Sequence, residues 1–190
     1  MKNTKQEVIN LEYGKLPPQA TEIEEVLLGS LMVESKAFSE ISDFLKAEHF
    51  YKPAHSLIYK TIERLSHENQ PTDFLMVANK AKEDDIIDEI GGAYYLTLLS
   101  MKVNSCANVE NYARIIFQKY LCREAIRISN EILSMAYSDT DIDDILTYAN
   151  KSYQDITTFT NGAVLTMYDA VNEMRNNVIK NTNNAHGDVA

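Results

Sequence analysis

Residues 108–136 read NVENYARIIFQKYLCREAIRISNEILSMA. Val109, Tyr112, Ala113, Ile116, Tyr120, Leu121, Ala125, Ile128, Ile132, Met135 and Ala136 recur in steps of three and four, with neither Gly nor Pro among them. That is the spacing of one helical face, sustained for about eight turns at 3.6 residues per turn. Only Tyr137 to Thr140 separate this run from a second one, Ile142, Ile145, Leu146, Ala149, Tyr153, Ile156 and Phe159, with the same spacing. Two long amphipathic helices joined by so short a turn run antiparallel, as a helical hairpin. Tyr120, Leu121, Ile128 and Ile132 span more than one face of the first helix. At ~25 cal/mol per Å² of apolar surface, leaving them wet is unfavourable, and pairing with an identical copy is the simplest closed remedy. These four are the expected self-association residues.

Working outward from the hairpin, the N-terminal side reads as a set of short helices. Residues 1–19 are a polar, extended lead-in ending in Leu16-Pro17-Pro18-Gln19, where proline restricts both itself and its predecessor. Thr21 and Glu24 fit a capping box ahead of Val26, Leu27 and Leu31. Gly29, in the middle of that stripe, marks a close helix crossing. A short helix is expected over Lys36 to Leu45. Pro53 suits the first position of the next helix, whose stripe is Ala54, Leu57, Ile58, Thr61, Ile62 and Leu65. Thr72 or Asp73 caps a further helix. Gly91-Gly92 bends the chain into a short apolar helix, Ala93 to Leu99. On the C-terminal side, Asn161-Gly162 ends the hairpin, and a last helix over Met167 to Lys180 carries Tyr168, Val171, Met174 and Val178. No alternating strand pattern occurs. The expected fold class is all-α: a small globular helical bundle (20–104), a long antiparallel helical hairpin (105–160), and a linker helix with the start of a linker (161–190).

The 190 residues carry 18 Lys and Arg against 28 Asp and Glu, a net charge of −10. This opposes tight nucleic-acid binding by the chain alone, because such binding draws on cations that displace phosphate counterions. No apolar run reaches bilayer-spanning length and no signal-peptide core is present, so a cytoplasmic protein away from membranes is expected. Cys106 and Cys122 lack zinc spacing and read as small buried apolar residues in a helical pattern. No phosphate-binding Gly-rich loop occurs. His55, in the first turn of its helix, reads as a packing or capping residue. Asp139 to Asp144 lack the Gly and Glu of a calcium loop and suit a helix N-terminus. Lys119, Arg123 and Arg127 recur every four residues as a basic stripe, which is either a solvated face or a docking surface for an acidic partner.

Several segments then converge. Leu16-Pro17-Pro18-Gln19 through Glu22, Glu25-Val26-Leu27-Leu28-Gly29-Ser30-Leu31-Met32; Phe50-Tyr51-Lys52-Pro53-Ala54-His55 with Ile58-Tyr59; Gln70-Pro71-Thr72-Asp73; Gly91-Gly92-Ala93-Tyr94-Tyr95-Leu96; and Asn108 to Ile116 occur in one order over residues 16 to about 160. Together they resemble the N-terminal domain of bacterial replicative DNA helicases of the DnaB family. The resemblance implies a collar domain. Its hairpins pair, three pairs build the collar of a hexameric ring, and the collar contributes to docking the primase C-terminal domain, with a helicase loader as a further partner. It also implies that Met167 to Lys180 is the linker helix that packs on a neighbouring subunit. ATP, Mg and the DNA contacts belong to a RecA-like ATPase domain that is absent from these residues, so no catalytic or cofactor residue is carried over. A freestanding adaptor of the same fold, binding helicase or primase without a motor, is the alternative; enzymatic activity of these residues alone is not expected.

Overall fold

The computed structural model describes residues 16–103 and 105–163, with side chains described as far as Ile156. All regular structure among the described residues is helical. In chain order it comprises α1 (Thr21–Val33), 3₁₀ turns at Ser35–Glu40 and Ala47–His49, α2 (Pro53–His67), α3 (Phe74–Glu83), α4 (Gly92–Met101), α5 (Val109–Ala136) and α6 (Ile142–Ala163). The chain divides within α5 into two compact units, the first running to Asn130 and the second starting at Glu131. The all-α class follows the sequence reading. The linker-helix residues Tyr168, Val171, Met174 and Val178 lie outside the described residues.

In the first unit α1 is the central rod. Leu27, Leu28 and Leu31 are fully enclosed, and α2, α3 and α4 lie against it. Ile58, Ile62 and Leu65 of α2, Val77 and Ala81 of α3, and Leu96 and Leu99 of α4 complete the core. Gly29 lets α1 and α4 cross closely: a Cβ there would collide with the Leu99 carbonyl and lie 2.8 Å from Val103 Cγ2. The close crossing expected from the sequence is therefore present, at the expected residue.

Pro53 opens α2, and Asp73 caps α3 by accepting the Leu75 and Met76 N–H groups at 2.9 and 3.2 Å. Thr72 serves elsewhere, donating to the Leu31 carbonyl at 2.9 Å. Gly91 precedes α4 at φ +88°, a left-handed conformation that disfavours any side chain.

Four expectations are corrected. Cys122, expected to be buried, is exposed, because it lies off the face of α5 that buries Val109, Ala113, Ile116 and Phe117. The Thr21–Glu24 capping box is absent: Ala20 is the N-cap, and the Glu24 carboxylate turns inward to partners described below. Lys36 to Leu45 forms a 3₁₀ turn over Ser35–Glu40 followed by turns rather than an α-helix. Its apolar residues Phe38, Ile41 and Leu45 are buried all the same, so packing is satisfied without α-helical geometry. Finally, α6 continues across Asn161-Gly162 to Ala163. A glycine inside a helix costs about 1 kcal/mol but does not forbid it.

In the second unit, α5 ends at Ala136, as the sequence indicates, and α6 begins five residues beyond Tyr137. Asp141 caps the new helix, its carboxylate accepting the Asp143 N–H at 2.9 Å. The Tyr148 hydroxyl then donates to Glu131 at 2.7 Å, so the chain folds back on the last turns of α5.

Candidate partner-binding face

The N-terminal half of α5 is built into the first unit. Val109, Ala113, Ile116 and Phe117 are buried. Phe117 meets Phe44 edge-on at 6.3 Å between ring centroids and His49 at 4.9 Å, and Tyr120 lies 4.4 Å from His49 and 6.4 Å from Phe117, so the three rings cluster. The His49 Nδ1 accepts the Lys46 N–H at 3.0 Å, closing the 3₁₀ turn. Its Nε2 is buried and has no hydrogen-bond partner among the described residues, the nearest carboxylate being that of Glu48 at 4.0 Å. Burial first, then the positive charges of Lys46 and Arg123, hold its pKa down at about 4, so the ring is neutral near pH 7. Arg123 closes this joint. Its guanidinium donates to the Pro18 carbonyl at 3.0 Å and to the His49 carbonyl at 2.6 Å, and it lies over the rings of Tyr51 and Tyr120 at 5.7 and 5.8 Å. A planar fork with delocalised charge suits this double role; an ammonium would not.

Beneath the joint lies a buried charge network. Glu24 is almost fully enclosed, and its carboxylate accepts the Tyr51 N–H at 2.7 Å and contacts His55 Nδ1 at 2.6 Å. His55 is fully enclosed, and its Nε2 lies 2.7 Å from the Tyr95 hydroxyl. That hydroxyl is 3.3 Å from Glu25 Oε1, which Lys52 reaches at 3.0 Å, and Lys102 donates to the other Glu25 oxygen. Burial alone would raise the Glu25 pKa; the hydrogen bonds and charges of Lys102 and Lys52 overcome it and hold the carboxyl at about 2. Three helices and the Tyr51-Lys52 segment are thus tied by hydrogen-bonded polar groups, of which Glu24, Glu25 and His55 are buried and the two lysines reach in from the surface.

The second unit has the opposite character. Ile145 is buried, but Leu133 is 39 % exposed, Tyr137 87 %, Ile142 63 %, Leu146 53 % and Tyr153 47 %. Ile142, Leu146, Ala149 and Tyr153 step by four, three and four, the rhythm of a helix seam that meets a partner rod. The face this leaves is apolar and long, and it resembles half of a helix–helix interface.

The comparisons with known proteins bear on this shape. Residues 16–118, more than half the chain, match the family model for the DnaB-like helicase N terminal domain. The chain belongs to this family. The replicative DNA helicase DnaC of Bacillus subtilis (strain 168) is 31 % identical over 148 residues, which are 77 % of this chain and 33 % of that protein. The replicative DNA helicase DnaB of Geobacillus stearothermophilus is 34 % identical over 132 residues, 70 % of this chain and 29 % of that protein. The chain spans about a third of the length of these curated relatives. The crystal structure of the N-terminal domain of DnaB helicase from Mycobacterium tuberculosis matches with a TM-score of 0.69 and 28 % identity, over 74 % of this chain and 99 % of that one. A DnaB-like replicative helicase, described with its interactions with primase, matches with a TM-score of 0.60 and 25 % identity, over 80 % of this chain and 35 % of that one.

Within this DnaB-like N-terminal domain, the residues singled out from the sequence separate. Tyr120 is half-buried against His49, Leu121 and Ile132 are half-buried, and Ile128 is only 2 % exposed. Lys119 is half-buried and Arg127 exposed, the latter paired with Glu124 at 3.0 Å. Arg123 points into the Pro18–His49 joint. The three cations therefore do not present one uniform basic surface. Sequence reasoning missed two features: the Glu24–His55–Tyr95 network and the exposure of the α6 seam. The second had a signal, the heptad rhythm from Ile142 to Tyr153. Gly29 is buried beneath the Leu99 carbonyl, and no group of three or more His, Cys, Asp or Glu side chains among the described residues is arranged to hold a metal ion. None of the described helices is long and apolar enough to cross a membrane.

Proposed function

We propose that this chain is an assembly module, the collar of a hexameric replicative helicase that unwinds duplex DNA with ATP through a motor domain outside these residues. The observation that carries the reading is the exposed apolar seam Ile142, Leu146 and Tyr153, with Leu133 and Tyr137 beside the turn. Two copies meeting along it remove that surface from water at ~25 cal/mol per Å², and a twofold contact closes the assembly without propagating it. Ile132 contributes the exposure it retains, while Leu121 and Ile128, expected on the same face, belong to the first unit, where Ile128 is already covered. Three such pairs give the ring. Lys119 and Arg127 form the docking face for the primase C-terminal domain, and a loader is a further partner. The relative described with primase supports this placement among replication proteins.

Sedimentation velocity at micromolar concentration tests the pairing. The chain is expected to run as dimers or as a trimer of dimers. Ile142→Asp with Leu146→Asp, both on exposed positions, is expected to leave helical circular dichroism unchanged and return it to monomers. A monomeric wild-type chain at the same concentrations refutes the reading. Binding of the isolated primase C-terminal domain, followed by calorimetry, tests docking separately.

A further inference from the structure

His55 is fully enclosed, yet its two ring nitrogens face partners of different kinds. Nδ1 lies 2.6 Å from Glu24 Oε2, and an ionised carboxylate can only accept, so Nδ1 carries a proton. Nε2 lies 2.7 Å from the Tyr95 hydroxyl, which itself is 3.3 Å from Glu25 Oε1. That hydroxyl has one proton and two acceptors within reach.

Two proton arrangements satisfy every group. With His55 neutral, the Tyr95 hydroxyl donates to Nε2, and Glu25 is served by Lys52 and Lys102. With His55 protonated, Nε2–H donates to the Tyr95 oxygen, and the Tyr95 proton turns to Glu25. The second state holds one more proton, taken from water at Nε2, and no polar atom is stranded in either. The neighbours keep their roles in both. Glu25, held at about 2, remains an acceptor; Tyr95, pushed up to about 12 by burial and then by Glu25, keeps its proton.

We propose that His55 is a proton switch that swings the Tyr95 hydroxyl between α2 and α1. The Glu24 carboxylate that binds His55 also fixes the Tyr51 N–H, and the Tyr51 ring lies against Arg123, the clamp on α5. The switch therefore acts on the seat of the long helix. The charged and titratable groups facing it are Glu24 and Glu25 from α1, Tyr51 and Lys52 ahead of α2, Tyr95 from α4, Lys102 just past it, and Arg123 from α5, whose charge is felt at Glu24.

The test is ¹⁵N nuclear magnetic resonance of the histidine rings in the full chain, from about pH 8 to about pH 5, where imidazole chemistry is read. His49, held at about 4, stays neutral over most of this range and does not confuse the signal. The His55 ring is expected to pass in one reversible step from a single proton on Nδ1 to two. Circular dichroism should stay constant, and the Tyr51 amide and Arg123 side-chain signals should move with the same midpoint. His55→Gln should abolish the movement at Tyr51 and Arg123. If that variant does not fold, Tyr95→Phe keeps the imidazole and must displace its midpoint. A His55 ring held in one protonation state, a titration that leaves Tyr51 and Arg123 still, or an unchanged midpoint in Tyr95→Phe overturns the proposal.

Discussion

Arg123 shares a four-residue spacing with Lys119 and Arg127, and spacing alone gives all three the same meaning. Its contacts differ: two backbone carbonyls and two aromatic faces hold the guanidinium. Hydrogen bonds involving a charged group contribute roughly 1.5–3 kcal/mol, and each carbonyl left behind in a partly buried joint loses its donor. Arg123→Ala is therefore expected to lower the unfolding free energy by about 2 kcal/mol in urea titrations followed by circular dichroism. Arg123→Lys should recover less than half, since an ammonium cannot make the fork. An Arg123→Ala variant of undiminished stability with weakened primase binding would instead mark a docking residue. Sequence periodicity reports which face a residue occupies, but not how far a long side chain reaches back along that face.

At the scale of elements, α1 shows both what was legible and what was not. Its apolar stripe and its crossing glycine were readable because each leaves a local mark: a period near 3.6, and a glycine where a helix would rather have alanine. Glu24 left the wrong mark. Three residues after Thr21 it looks like a capping partner, yet it binds Tyr51 and His55, which lie 27 and 31 residues away. The partner is set by helix packing, and no local pattern encodes it. The same holds for Tyr95, whose link to Glu25 spans 70 residues. The end of α5 at Ala136 and the start of α6 at Ile142 were legible for the opposite reason, since neighbouring residues create both. The α1–α4 crossing permits a sharp test. Gly29→Ala gains up to about 1 kcal/mol of helix propensity, but forces a Cβ into the Leu99 carbonyl and toward Val103. Overpacking of this kind costs typically ~1–3 kcal/mol, and more against backbone than against a pliant side chain. Net destabilisation is expected, read as a lowered thermal midpoint. A midpoint equal to or above the wild type would mean that the two helices separate freely.

For the whole molecule, the displaced titrations combine into one stability profile. His49 is held at about 4 in the fold against 6.5 when free, so the unfolded chain binds its proton first as the pH falls. Its contribution is complete above about pH 6.5 and is lost down to about pH 4. Glu25, at about 2 against 4.5, contributes above about pH 4.5 and is lost on the way down to about pH 2. Both act with the same sign, so acid weakens the fold in two successive stages. The alkaline side has the opposite sign. Burial raises Tyr59 far above its ordinary 10, and raises Tyr95 to about 12. Above pH 10 the unfolded chain therefore sheds protons that the fold retains, and stability declines as the pH rises. Denaturant midpoints should form a plateau between about pH 6.5 and 10, with falling limbs on both sides. His49→Asn can still accept the Lys46 N–H while removing the titrating ring. It is expected to flatten the first acid limb, from pH 6.5 to 4, and to leave the second one intact. An unaltered first limb in that variant would assign it to another group and remove His49 from the account.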